Sequence, residues 1–176
     1  MENILHNDNI FLRAMEPSDI DLLYEWENLP ENWMVSDTHN PFSKYTLEKF
    51  IESSTKDIYE TRQLRLMIID ISNKKAIGAI DLFNFDPFHL RAGVGILIGE
   101  KKARKKGYAS EALEVLISYA GKILLLKQIY CNISENNEES LKLFIEKSFV
   151  ITGQKKDWIK TNNGFLTEYF LQLQLF

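Results

Sequence analysis

Polar and apolar positions along this chain follow two periods in turn. Residues 9–15 (NIFLRAM) alternate apolar and polar side chains, as a half-buried strand does. Pro17, Ser18 and Asp19 then carry helix-start chemistry, and Ile20, Leu23, Tyr24 and Glu27 recur at helical spacing. Residues 29–43 (LPENWMVSDTHNPFS) keep neither period and read as an irregular stretch with an exposed Trp33. Residues 45–60 predict a second amphipathic helix. Residues 62–71 and 75–86 predict two strands joined by the turn SNKK, and residues 90–99 (LRAGVGILIG) the next strand.

The longest helical pattern covers residues 108–124, with Ala109, Ala112, Leu113, Leu116, Ile117 and Ala120 on one face. Residues 128–133 (QIYCNI) predict a short strand and residues 137–149 a short helix. A hairpin about the turn TNNG closes the chain. The order βααβββαβαββ is that of an α+β domain with a mixed sheet. Without a repeat, a low-complexity run or a Pro/Gly/Ser linker, residues 1–176 read as one domain.

Composition narrows the classes. Apolar residues make up 45% and charged residues 26% of the 176, ordinary for a globular protein. No apolar run reaches the ~18 residues of a membrane span, and the first residues (MENILHNDN) resemble no export leader. The lone Cys131 rules out an intrachain disulfide and suits a reducing compartment, so a cytoplasmic protein is expected. A net charge of −4 argues against nucleic-acid partners, which need a broad basic face. No metal site is expected either.

One basic feature stands against that acidic background. Lys101, Lys102, Arg104, Lys105 and Lys106 crowd the junction between a strand and the longest helix, just before Gly107. A helix N-terminus presents backbone N–H groups without intrahelical partners and a positive dipole end. Cations there are unfavourable unless an anion joins them, and Gly107 lets a bulky phosphate approach the backbone. Taken alone, the same residues also describe a solvated basic turn. The spacing excludes a P-loop, and GVGILIG lies inside a strand, which excludes a dinucleotide fingerprint.

RKKGYA (104–109) resembles the Q/R-x-x-G-x-G/A motif of the GNAT N-acetyltransferases, between a strand and a long helix as in that family. The segments IFLRAMEPSDIDLLYEWEN, AIGAIDLFNFDPFHLRAGVGILI and NEESLKLFIEKSF resemble the family's first strand and helix, central strands and late helix, in the same order. The likeness runs from about Asn9 to Phe176 and is nearest to the branch of ribosomal-protein and spermidine acetyltransferases. It implies a central, mostly antiparallel mixed sheet of about seven strands, the fourth and fifth splayed apart, flanked by about four helices. It also implies an acetyl-CoA-dependent N-acetyltransferase that moves the acetyl group directly to a primary amine of a small molecule, a polyamine or a protein. Relatives are often homo-oligomers.

Residue by residue, the resemblance puts Leu97, Ile98 and Gly99 beside the pantetheine arm and the backbone of Arg104, Lys105, Lys106, Gly107, Tyr108 and Ala109 around the pyrophosphate. It places Asn137 and Ser140 toward the pantetheine and Lys147 toward the nucleotide. Asn137 and Ser140 equally describe a helix cap. The sequence departs from the family at Phe144, which stands where many relatives carry a tyrosine that protonates the leaving thiolate. Tyr108 and Tyr130 are the substitute phenols, and a non-catalytic acyl-CoA-binding module is the alternative function.

For the general base, Asp81, Asp86 and His89 lie on or just after a central strand, with Asp81 in a mostly apolar run. Asp86-Pro87 also describes a turn, His89 a surface residue, and Cys131 a small core residue rather than a nucleophile. Glu25, Glu27, Glu31, Asp37, Asp57 and Glu60, with Trp26, Trp33, Trp158 and Tyr169, sit in the segments that form the acceptor site of the family. Val94 is apolar where a spermidine enzyme has an acid.

Overall fold

The computed structural model describes residues 4–36 and 38–176. Its strands are β1 (Ile10–Ala14), β2 (Leu64–Asp70), β3 (Lys75–Asp86), β4 (Arg91–Leu97), β5 (Gln128–Ser134), β6 (Val150–Thr161) and β7 (Gly164–Gln174). They form one sheet in the order β1-β2-β3-β4-β5-β7-β6. Every neighbouring pair is antiparallel except β4 with β5. All seven expected strands are present in the expected order.

The helices are α1 (Ile20–Glu27), α2 (Pro30–Ser36), α3 (Lys44–Ser53), α4 (Ile58–Thr61), α5 (Tyr108–Lys122) and α6 (Glu138–Glu146). Two of them depart from the pattern. Part of the stretch read as irregular is α2, started by Pro30, which is pre-set for a first helical position. Its Trp33 is half-buried and donates from Nε1 to the Glu27 carbonyl at 2.8 Å, so it is not the exposed ring expected. The single helix expected over 45–60 is broken in two. Ser53, Ser54 and Thr55 each donate a hydroxyl to the carbonyl three residues back, at 2.7, 2.6 and 2.8 Å, and close off the end of α3. Asp57 then caps α4 through the Tyr59 amide at 2.6 Å.

Strand alternation sends side chains to two faces. Leu66, Ile80, Leu82, Val94, Ile129 and Leu171 are buried on the face covered by α5, which contributes Ala112, Leu113, Leu116 and Ala120. Met67, Ile69 and Ala79 point the other way, where α1 and α3 bury Leu23, Trp26, Leu47 and Ile51. This second cluster draws on β2 and β3 and goes no further across the sheet than Leu97 of β4. The rest of that face, over β5 and β7, carries Tyr130 and Phe170, both half-buried.

Trp26 locks the two regions together. A Cβ on Gly99, just past β4, would lie 2.2 Å from its indole ring, so the bare glycine lets α1 seat against the exit of β4. Gly99→Ala is expected to destabilise the fold by about 1–3 kcal/mol through overpacking. The check is the urea midpoint at constant m-value; an unchanged midpoint means the indole moves aside freely.

Candidate functional site

The site begins where two strands part. β4 pairs with β5 only at Arg91–Gln128, Ala92–Ile129 and Gly93–Tyr130. Past that point β4 runs on to Leu97 beside β3, and β5 runs on to Ser134 beside β7, with no ladder between them. The result is a wedge lined by unpaired main chain, closed at Gly93 and Tyr130 and open toward the basic loop. Gly93 is needed at the closed end, because a Cβ there would fall 2.3 Å from the Phe83 ring that crosses it.

The loop at the open end lacks internal partners. The amides of Lys105, Lys106, Gly107, Tyr108, Ala109 and Ser110 have no acceptor among the described residues; the first bond of the turn is Glu111 N to Gly107 O at 3.1 Å. Lys105 (φ 60) and Gly107 (φ 87) turn this backbone outward, and the space where a Gly107 Cβ would stand is empty to 4 Å. Consecutive free amides at the start of a 15-residue helix make a concavity for an anion. Around them, Arg104 and Lys101 reach Glu31 at 2.8 and 3.4 Å, and Lys105 reaches Glu139 at 3.2 Å. The Arg104 hydrogen bond, then that of Lys101, holds the Glu31 carboxyl below its usual range. Lys102 and Lys106 make no ion pair among the described residues. Arg104 Nε donates to the Ile98 carbonyl at 2.9 Å, tying the loop to the end of β4, and its buried Nη2 has no partner.

Other expected contact residues surround this corner. Asn137 caps α6, its Oδ1 accepting from Ser140 N at 3.2 Å, so the capping description holds for both residues. Lys147 reaches Glu114 of α5 at 2.9 Å. Phe144 is buried, its ring 4.9 Å from that of Phe149. Tyr108 sends its hydroxyl to Asp70 at 3.1 Å, and burial followed by that carboxylate raises its pKa; the phenol is committed to the turn after β2.

The open face of the sheet holds the remaining groups. Asp81 pairs in register with Arg65 of β2 and Gly95 of β4. Its carboxylate takes Arg65 Nε at 2.6 Å and Nη2 at 2.8 Å, while Arg65 Nη1 reaches Glu27 of α1. Burial opposes the Arg65 charge, but Asp81 and then Glu27 overcome it and raise its pKa. Asp86 and His89 do not join this group. They lie in the turn from β3 to β4, where Asp86 Oδ1 accepts from the Phe88 and His89 amides at 3.1 and 3.0 Å and Oδ2 meets Arg91 at 3.3 Å.

Several acceptor-site expectations change. Val94 is buried toward α5 and lines no acceptor site, so its apolar character says nothing about the amine. Trp26 is core, Asp57 is a cap, and Glu60 is paired with Lys56 at 2.5 Å. Asp37 lies outside the described residues. Sequence reasoning missed Arg65, although a lone arginine at the parity of Asp81 in an apolar strand is its signal. It also missed the ring row Phe83, Tyr130 and Phe170, which needs the strand order.

A mixed sheet parted between two parallel strands, opening on a cradle of free amides, defines an acyl-CoA-dependent transferase. Comparison agrees. The family model of the acetyltransferase (GNAT) domain matches residues 9–147, and the chain belongs to that family of acetyltransferases, whose cosubstrate is acetyl-CoA. N-acetyltransferase p20 of Bacillus licheniformis is 28% identical over 170 residues, covering 96% of this chain and 94% of that one. Spermidine N-acetyltransferase of Vibrio cholerae, solved with CoA and spermine, superposes with a TM-score of 0.84 at 24% identity, over 96% of this chain and 97% of that one. An acetyltransferase from Bacillus anthracis gives 0.80 at 18% identity, over 97% and 98%. No helix among the described residues is long and apolar enough to cross a membrane.

Cys131 lies in β5 one residue past the closed end of the wedge, yet it faces the core, and burial pushes its thiol up to about 12. Such a thiol stays protonated at pH 7 and is a poor nucleophile. Cys131→Ala is expected to keep turnover within about twofold, measured by CoA thiol release; loss of all turnover from a folded variant would make the cysteine a nucleophile after all.

Proposed function

We propose that this protein carries an acetyl group from acetyl-CoA to a primary amine, of a small molecule or a protein, by direct attack within one ternary complex. The run of unpartnered amides from Lys105 to Ser110 at the mouth of the wedge carries the reading. Those amides suit a diphosphate, with Lys102, Lys105 and Lys106 as neutralising charge, and the Arg104 backbone opens the same turn. The free edge of β4 through Leu97 and Gly99 suits the amide-bearing pantetheine arm by strand-like pairing. The Ile98 carbonyl already serves Arg104, which leaves that arm the neighbouring groups. Asn137, Ser140 and Phe144 would flank the arm from α6, with Lys147 toward the nucleotide end.

Bound acetyl-CoA supplies a thioester carbon open to a neutral amine and a sulfur that leaves as thiolate. The chain's contribution is first positional. A wedge open to the sheet's second face lets an amine approach at reacting distance, and proximity of that kind is worth up to about 7–11 kcal/mol. Of the three titratable groups, the geometry favours Asp81, which stands on that face opposite Gly95 and can hold the water that removes the amine's proton. Asp86 and His89, turned into their loop, are then auxiliary. Phe144 offers the thiolate no proton; Tyr130, registered with Gly93 at the closed end, is the phenol best placed to do so.

The reading includes one domain over residues 1–176 and a cytoplasmic setting, which the partnerless Cys131 suits. It also includes self-association: a dodecamer is described for the Vibrio cholerae enzyme, and β6 leaves an open sheet edge here.

Gly107→Val should weaken CoA binding about tenfold or more, because a β-branched residue resists φ 87 and its side chain fills the cradle. Calorimetry checks this, and undiminished affinity in a folded variant would place the diphosphate elsewhere. Asp81→Asn should lower kcat about tenfold or more at neutral pH while the KM for acetyl-CoA stays within twofold. A wild-type kcat removes Asp81 from the proton path.

A further inference from the structure

The open face of the sheet has an uneven composition. Phe83 from β3, Tyr130 from β5 and Phe170 from β7 form a row of half-buried rings, with centroids 6.1 Å apart for the first pair and 5.3 Å for the second. Between them β4 contributes Gly93, which the Phe83 ring covers, and Gly95, whose backbone stays bare beside the wedge. At Gly95 an added Cβ would meet only Phe83 and Asp81, at 3.8 and 3.9 Å. The row is therefore an apolar strip running across the sheet face from Gly95 toward the final hairpin.

Its charges are largely spent on one another. Glu27 and Asp81 share Arg65, and Glu168 beside the far end of the strip holds Lys155 at 2.7 Å. Three carboxylates and two cations leave one net negative charge among these groups. The cation–π positions nearby are likewise taken by the chain itself, with Arg65 5.1 Å from the Phe50 ring centroid and Lys155 5.0 Å from that of Trp158. One ammonium group finds a compensating charge here. A second or third one finds no further charge within this set, and holding it against apolar rings without a counter-ion is unfavourable.

We infer that the acceptor is a monoamine with an apolar or aromatic body, its amino end at Asp81 and Gly95 and its body along Phe83, Tyr130 and Phe170, and that polyamines are the poorer substrates. The inference rests on the acetyl-transfer reading of the same face and adds the class of amine. Sheet geometry and ion pairing carry it together: the rings supply contact area, and the internal salt bridges remove the charges a polycation would use.

The test compares 2-phenylethylamine with spermidine, by kcat/KM from CoA thiol release and by calorimetric binding of each amine to the CoA-loaded protein. The expected result is at least a tenfold preference for 2-phenylethylamine in both measurements. Phe170→Ala should cut that preference about fivefold or more. Lys155→Met, at a half-buried position, frees the Glu168 charge and should raise spermidine affinity about threefold or more. Equal or better handling of spermidine by the wild-type protein overturns the inference, as does a ratio that neither variant moves. If neither amine releases thiol yet the binding preference holds, acetyl transfer fails and the amine class stands. Fast thiol release with spermidine keeps acetyl transfer and ends the monoamine assignment.

Discussion

The parting of β4 from β5 after Gly93 and Tyr130 is the constraint around which the molecule is arranged. Abandoning a ladder midway strands backbone donors and acceptors, and each such group left dry costs about 1–3 kcal/mol. The fold tolerates this because each strand keeps its other neighbour: β3 holds β4, and β7 holds β5 over its whole length. Phe83, lying across Gly93, stabilises the closed end. The consequence is a gap with hydrogen-bonding edges, each held in place by a ladder on its far side, an arrangement that keeps down the ordering cost of binding.

The loop beyond β4 extends the same logic from sheet to helix. Positive φ at Lys105 and Gly107 points successive amides outward instead of closing them into a turn, and Arg104 anchors the loop by its Nε to the Ile98 carbonyl. Cations crowding a helix N-terminus oppose the dipole, yet Glu31 and Glu139 offset part of that charge by pairing with Lys101, Arg104 and Lys105. Glu31 thereby joins α2 to the loop, so the segment least regular in sequence helps to position the proposed anion site. In a chain of net charge −4, the local charge at that loop matters more to an anion than the bulk charge does.

Much of this was legible in the sequence, and what was not has identifiable causes. Strands with clean alternation, such as residues 9–15, and the long apolar face of α5 declared themselves because burial on one face forces the period. Lys101 to Gly107 were recognisable because their chemistry is local. Helix α2 escaped because a seven-residue helix shows too few turns for a period, and the break after α3 escaped because Ser53, Ser54 and Thr55 are polar positions that any exposed helix face tolerates. The partners of Asp81 escaped for a different reason. Whether a carboxylate in a strand is free or bridged depends on the residue registered beside it, and the Arg65–Asp81 pairing spans 16 positions of chain. The ring row needed more still, since β7 lies beside β5 only through the strand order.

The two ends of the proposed site are therefore built from different materials. The coenzyme end is mostly main chain: free amides, an unpaired strand edge and a glycine at positive φ, where the one requirement is that no side chain intrude. The acceptor end is side chains on a sheet face, Asp81 with Arg65 and Glu27, then rings from β3, β5 and β7. Replacing one of those side chains changes shape and charge without disturbing the α5 core behind it, because adjacent strand residues point to opposite faces. A fold so divided can keep one cosubstrate while its amine changes, and Val94 illustrates the separation. It stands between Gly93 and Gly95 on β4, yet its own side chain packs into the core under α5, on the face opposite the proposed acceptor site.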